Sequence, residues 1–131
     1  MSYEIAVQTA VFGALTGRAE LIALVDVYDS VPQDAAFPYV TIGEDNHNEW
    51  DTDTTIGSDC SITIHTWSRA RGRKETKQIQ AEIYAALHRA ELTHTGYKFD
   101  SCDWESSQSF TDADGLTRHG VQTFRIILER V

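Results

Sequence analysis

Five histidines, two cysteines and a surplus of carboxylates are the residues of this 131-residue chain whose types could carry chemistry. Their spacing decides what they can do. His47, His65, His88, His94 and His119 show neither an HExxH pair nor a cysteine-paired spacing, so no metal site is predicted. Cys60 and Cys102 fall inside predicted strands. A buried thiol without a cationic surround is a poor nucleophile, even if His65 were to meet Cys102 across neighbouring strands. Asp112, Asp114 and Gly115 resemble the middle of a calcium loop. Counting Gly115 as the sixth loop position puts Phe110 first and Val121 twelfth. Neither ligates, so a hairpin turn is the better account. There is no phosphate-cradling glycine loop and no GxSxG elbow. The chain therefore reads as a protein that is not an enzyme and that takes no cofactor.

Charge is the stronger signal. Twenty acidic against eleven basic residues give a formal charge of -9, which argues against general affinity for nucleic acid. The distribution is uneven. Arg69, Arg71, Arg73, Lys74 and Lys77 place five of the eleven cations within nine positions, and Glu44, Asp45, Glu49, Asp51 and Asp53 place five carboxylates within ten. A molecule with one acidic and one basic patch suits head-to-tail self-association or oriented docking, although two solvated loops would read the same way. Trp50 stands alone in the acidic segment, either folded back onto a sheet edge or anchoring a partner. Arg69, Arg71 and Arg73 either pair with carboxylates of a neighbouring protomer or neutralise the chain's own acid.

The element that must position these groups is the stretch from Cys60 to Leu92. Cys60, Ile62, Ile64 and Thr66 alternate with Ser61, Thr63, His65 and Trp67, the period of a strand. The pattern then changes to Ile79, Ile83, Ala86, Leu87 and Ala90, spaced as one face of a helix that begins near Arg73. Upstream, Ser2 caps a helix carrying Tyr3, Val7, Ala10, Val11, Ala14 and Leu15, and Gly17 ends it. A helical turn at Leu21 to Val25 passes into Val27 and Tyr28, and Pro38 to Gly43 is a short strand. From Glu44 to Ser58 the chain is polar and forms a long loop or protruding hairpin. Downstream, Tyr97 to Trp104 is a strand with Tyr97 and Phe99 facing oppositely to Cys102. Glu105 to Gly115 is a polar connector, and Arg118 to Val131 is a last strand with Phe124, Ile126 and Leu128 on one side.

A chain of this length forms one domain, residues 1–131, and buries roughly two-thirds of its unfolded surface without needing a disulfide. No apolar run is long enough to span a membrane, and no basic segment precedes a hydrophobic one at the N-terminus, which points to folding in a cytoplasm with reduced thiols. The fold class predicted is α+β: a mainly antiparallel sheet of four to five strands, with an N-terminal helix and one long helix packed on one face.

Tyr28-Asp29, Val31-Pro32, Phe37-Pro38-Tyr39-Val40 with Gly43, and His65-x-Trp67-Ser68 running into Gly72, Arg73 and Glu75 occur in an order that resembles the phage tail-completion or tail-terminator family. Asp114-Gly115 and His119-Gly120-Val121 extend the likeness over nearly the whole chain. The family also occurs in prophages and gene transfer agents. The resemblance implies a structural virion protein that assembles into a ring, commonly a hexamer, made in the host cytoplasm and placed at the head-tail junction. It implies capping of the head-proximal end of a tail tube, with the tube protein, the head-side connector and other copies of the chain as partners, and DNA passing through without specific binding. The interface residues inferred beside this resemblance are Trp50, Asp51, Asp53, Arg69, Arg71 and Arg73. The rival readings are a head-closure adaptor of the same virion, which differs in its partner, and a small nucleic-acid-binding protein using Arg69 to Lys77 with Trp67 stacked on a base.

Overall fold

The computed structural model describes residues 2–131. The Ser2 hydroxyl accepts the Ile5 backbone N–H at 3.2 Å and starts α1 (Tyr3–Thr16), which ends at Gly17 as its apolar spacing predicts. One helical turn, α2 (Ala19–Ile22), leads into β1 (Asp26–Tyr28). The Phe37-Pro38 peptide bond is cis, and β2 (Tyr39–Glu49) starts at the next residue. Then come β3 (Gly57–Ser68), α3 (Lys74–Leu87), β4 (Thr93–His94), β5 (Tyr97–Thr111) and β6 (Arg118–Arg130).

The strands form one sheet in the order β1-β2-β3-β6-β5-β4, antiparallel except for the parallel β1–β2 pair. The α+β class agrees with expectation, but the count of four to five strands is too low. There are six, because β1 and β4 are edge pieces of three and two residues, too short to show alternation. α1 and α3 are both 14 residues, so two equal helices cover the sheet instead of one long one beside a lesser one.

Strand boundaries also move outward. Most of the acidic segment is strand: only residues 50–56 form the β2–β3 turn, Glu44 lies in a bulge of β2, and Asp45 to Glu49 pair with β3. The supposed connector after Trp104 continues β5 to Thr111, paired with β6 from Ser106 onward. Ser, Gln and Asn read as loop, yet here the hydrogen-bonding partner decides, since a strand with one solvated face needs few apolar side chains. Register shifts in β5 also correct the predicted facing. An extra residue between Phe99 and Ser101 lets Phe99, opposite Leu128, and Cys102, opposite Ile126, both turn to the core.

The core lies between this sheet face and the helices. β3 contributes Cys60, Ile62 and Ile64, β6 contributes Phe124, Ile126 and Leu128, α1 contributes Val7, Val11 and Leu15, and α3 contributes Ile79, Ile83 and Leu87. Both cysteines are free and buried, and burial pushes each thiol up to about 12. Cys102 therefore faces the core while His65 lies on the opposite face two strands away, so the two do not meet. Two buried glutamines tie α3 to the sheet: Gln80 Nε2 donates to the Gln108 carbonyl at 2.9 Å, and Gln122 Nε2 donates to the Gln80 carbonyl at 3.1 Å. Among the described residues no helix is long and apolar enough to cross a membrane.

α3 sits so close to β6 that residue 120 must lack a side chain. A Cβ on Gly120 would lie 2.6 Å from Gln80 Nε2 and 2.9 Å from Thr76 Cγ2. Gly120→Ala should therefore cost about 1–3 kcal/mol through overpacking. Gly13→Ala, with nothing within 4 Å of its Cβ in α1, should instead stabilise by about 0.4–1 kcal/mol. Urea denaturation of both variants checks the opposite signs.

Candidate functional site

The solvent-facing side of the sheet carries an aromatic row that crosses four strands at right angles. Tyr39 in β2 lies opposite Trp67 in β3, Trp67 opposite His119 in β6, and His119 opposite Phe110 in β5. Directly opposed side chains on one sheet face touch, and aromatic pairs there add to sheet stability. Trp67 and His119 stack with ring centroids 3.8 Å apart and planes 16° apart, and Phe110 follows at 4.9 Å from His119. At the other end Phe37 packs 5.0 Å from Tyr39 and carries the Arg69 guanidinium 4.4 Å above its ring. Trp67 also donates its indole N–H to Thr41 Oγ1 at 3.1 Å.

An imidazole chain runs beside the row. His65 Nδ1 and His119 Nε2 are 2.7 Å apart and share one hydrogen, His65 Nε2 is 3.1 Å from Glu44 Oε2, and His119 Nδ1 is 3.5 Å from Asp112 Oδ1. If His65 donates to Glu44, its Nδ1 accepts from His119 Nε2, which leaves His119 Nδ1 without a hydrogen for Asp112. The neutral pair thus satisfies two of three bonds, and the third requires an imidazolium. Burial and then the neighbouring His65 lower the proton affinity of His119, against the pull of Asp112. Glu44 is held below the usual carboxylate range by its own backbone N–H and by His65. It reaches His65 because β2 bulges between Ile42 and Asp45, and Gly43 gives the imidazole room: a Cβ there would lie 2.5 Å from the ring.

The acidic and basic turns lie at opposite ends of β3, while Glu44 and Asp45 of the acidic run lie along the strand, beside His65 and opposite Ile62. The acidic β2–β3 turn precedes Gly57, whose cross-strand partner is Glu129, while the basic turn follows Ser68, whose partner is Arg118. With 12 residues in β3, the poles stand about 35 Å apart at ~3.3 Å per residue. Ser68 shapes the basic end: its hydroxyl donates to Glu75 Oε1 at 2.6 Å and accepts the Ala70 N–H at 3.1 Å. Asp114 closes the adjacent β5–β6 turn, accepting the N–H groups of Leu116 and Thr117 at 2.8 Å each and the Thr117 hydroxyl at 2.7 Å. These bonds from Thr117 and Leu116 hold its carboxyl down to about 2.

The six residues inferred as interface divide between the poles. Trp50 is 47% exposed at the base of the acidic turn, with the Arg125 guanidinium 5.8 Å from its ring centre. Asp51 Oδ1 accepts the Gly57 N–H at 3.0 Å and helps close the turn. Asp53 sits at the apex, over a base in which Thr52 and Thr55 share a hydroxyl hydrogen bond of 2.6 Å. At the other pole, Arg69 is committed to Phe37 and to the Thr117 hydroxyl at 3.4 Å, while Arg71 and Arg73 are exposed. The structure adds Arg118 to the basic cluster and His119 to His65. Neither link was readable from the chain alone, because both depend on the β3–β6 register.

The class of protein that this arrangement defines is a small α+β domain whose distinctive surfaces, an aromatic row and two opposed charged poles, are suited to contact with other proteins. Comparison with known proteins agrees. The profile of the tail completion protein gp17 family matches residues 9–129. The tail completion protein gp17 of Bacillus phage SPP1 is 28% identical over 124 residues, covering 94% of this chain and 92% of that protein. Among solved structures, a chain from the virion of a native gene transfer agent particle superposes with a TM-score of 0.89 at 26% identity, covering 98% of this chain and 99% of the other. The structure of SPP1 gp17 gives a TM-score of 0.65 at 27% identity, with coverage of 93% and 88%. The chain belongs to the tail completion protein gp17 family. It is a structural component of a phage-type tail, as the resemblance implied.

The imidazole chain makes stability depend on pH with a definite sign. His119 has a folded proton affinity below its ordinary 6.5, so the unfolded chain binds the proton more tightly. The stabilisation is complete above 6.5 and declines as pH falls below it, towards the folded value. His119→Gln should reduce that loss relative to wild type, as measured by urea midpoints on either side of 6.5.

Proposed function

We propose that this chain caps the head-proximal end of a long tail tube. It assembles as a ring, a hexamer in this reading, ends polymerisation of the tube protein, and presents the surface to which the head-side connector joins. The observation that carries the proposal is the placement of opposite charges at opposite ends of β3. A pole that meets the opposite pole of the next copy makes a head-to-tail contact, and such contacts close into a ring when the rotation between copies permits. Likeness to a chain of a complete gene transfer agent virion over nearly the full length of both supports a place in the finished particle.

The aromatic row gives the basic pole a rigid base. Arg69 is held by Phe37 and Thr117, and the exposed Arg71 and Arg73 project from a turn fixed by Ser68 and Glu75. Trp50, Asp51 and Asp53 mark the complementary end. With a formal charge of -9, the surface repels phosphate overall, which lets DNA pass through a ring without being gripped.

Light scattering coupled to size exclusion, with and without purified tail tubes and followed by electron microscopy, tests the reading. Wild type should give a ring or a cap at one tube end. Arg71→Glu with Arg73→Glu should keep the native melting temperature, because an acidic residue at the start of α3 suits the helix dipole, yet should neither assemble nor cap. A double variant that assembles like wild type removes the role of these arginines. A wild-type monomer that ignores tubes moves the assignment to a head-side adaptor.

A further inference from the structure

The basic pole contains a groove that the sequence does not announce. It is an open hollow of about 750 Å³ between the first half of α3 and the β5–β6 turn, lined by Arg73, Lys74, Lys77, Gln78, Thr111 and Arg118. Among the described residues, none of its four cations forms an ion pair, in a chain with 20 carboxylates for 11 cations where Arg18 takes two carboxylates and Lys98 and Arg125 one each. Arg118 makes only a 3.2 Å bond to the Gly115 carbonyl. The start of α3 faces the same space and adds the positive end of its dipole. Four cations that converge on one hollow, none of them in an ion pair, mark a seat for an external anion.

We propose that this groove receives the acidic β2–β3 turn of a second copy of the chain. The proposal rests on the ring reading above and names the contact that would build it. The turn is preshaped for insertion. Thr52 N–H donates to the Thr55 carbonyl at 2.9 Å, the two threonine hydroxyls are joined, and Asp51 is tied to Gly57, so the apex at Asp53 is held without a partner and needs little ordering on docking. Glu49 and Asp53 supply carboxylates for lysine and arginine, and Trp50 at the base offers an amphipathic ring to the groove wall at Ala81. A molecule cannot fill its own groove, because β3 separates turn and groove by about 35 Å. A nucleic-acid phosphate would satisfy the same cations, but it leaves the acidic turn unpartnered and must approach a chain of formal charge -9. The turn of a second copy satisfies both poles with one contact.

Cysteine crosslinking tests the contact directly, since Cys60 and Cys102 are buried and their thiols too weakly acidic to compete. An Asp53→Cys, Lys77→Cys double variant treated with a short bis-maleimide should give a ladder of crosslinked multimers, and either single variant none. Separately, Glu49→Lys with Asp53→Lys, and Lys74→Glu with Lys77→Glu, should each abolish assembly, while an equimolar mixture of the two charge-reversed proteins should restore it. Multimers by light scattering without the ladder overturn this contact and leave the cap reading standing. A ladder on protein that ignores tail tubes supports the contact and overturns the cap. Neither multimers nor ladder, with tubes present, overturns both. Salt-sensitive binding of duplex DNA that Lys74→Glu with Lys77→Glu removes, while assembly is unaffected, reassigns the groove to nucleic acid.

Discussion

The antiparallel pairing of β3 with β6 is the constraint on which the rest of the molecule depends. The two strands run together from Gly57 opposite Glu129 to Ser68 opposite Arg118 without a break in register. Because strand side chains alternate, this one pairing sets both faces at once. On the core side it brings Ile62 and Ile64 beside Phe124 and Gln122, and α1 and α3 close over them. On the other side it places Trp67 against His119 and His65 beside it. A slip of one residue would turn Phe124 to solvent and bury His119, so register is defended by the full hydrophobic cost of exposing the core.

Breaks in register elsewhere are put to local use. The bulge in β2 turns Glu44 towards His65, and the glycine beside it yields the space that the imidazole occupies. In β5, the shifts near Asp100 and Glu105 keep Phe99, Cys102 and Trp104 opposite the core residues of β6 before Ser106 resumes the solvent-facing pattern opposite Thr123. Trp104 reaches Tyr84 of α3, with ring centroids 5.8 Å apart, although it stays partly exposed. Unpaired residues thus re-aim side chains without ending the strand.

The residues that carry the family likeness have separate physical jobs that meet in one region. Phe37, Tyr39, Trp67 and His119 form the aromatic row, Ser68 and Glu75 close the turn into α3, Asp114 closes the turn into β6, and Gly120 lets α3 lie against the sheet. Their shared effect is to fix the end of the sheet where the cations project. A charged pole can give a specific contact only if its backbone is held, because flexible lysine and arginine side chains lose entropy on pairing and exposed pairs return little. The acidic pole meets the same requirement through Asp51, Thr52 and Thr55.

Strand alternation in β3 and β6, the helical spacing of α1 and α3, the Ser2 cap and the buried cysteines were legible in the sequence, since each is set by side chains within one element. The charge runs at residues 44–53 and 69–77 were equally plain. The edge strands β1 and β4 were not, because pieces of two or three residues have no period of their own and exist only through their neighbours. The polar strand segments at 44–49 and 105–111 were hidden because their backbone bonds, and not their side chains, hold them in the sheet. The acidic and basic runs could be placed before and after β3 from the chain order, but only the tertiary structure added Arg118 to the cations and joined His65 to His119. Those two relations join segments far apart in the chain, His65 and His119 being 54 residues apart, and are fixed by strand register, which hydrophobic burial on the far face of the sheet decides.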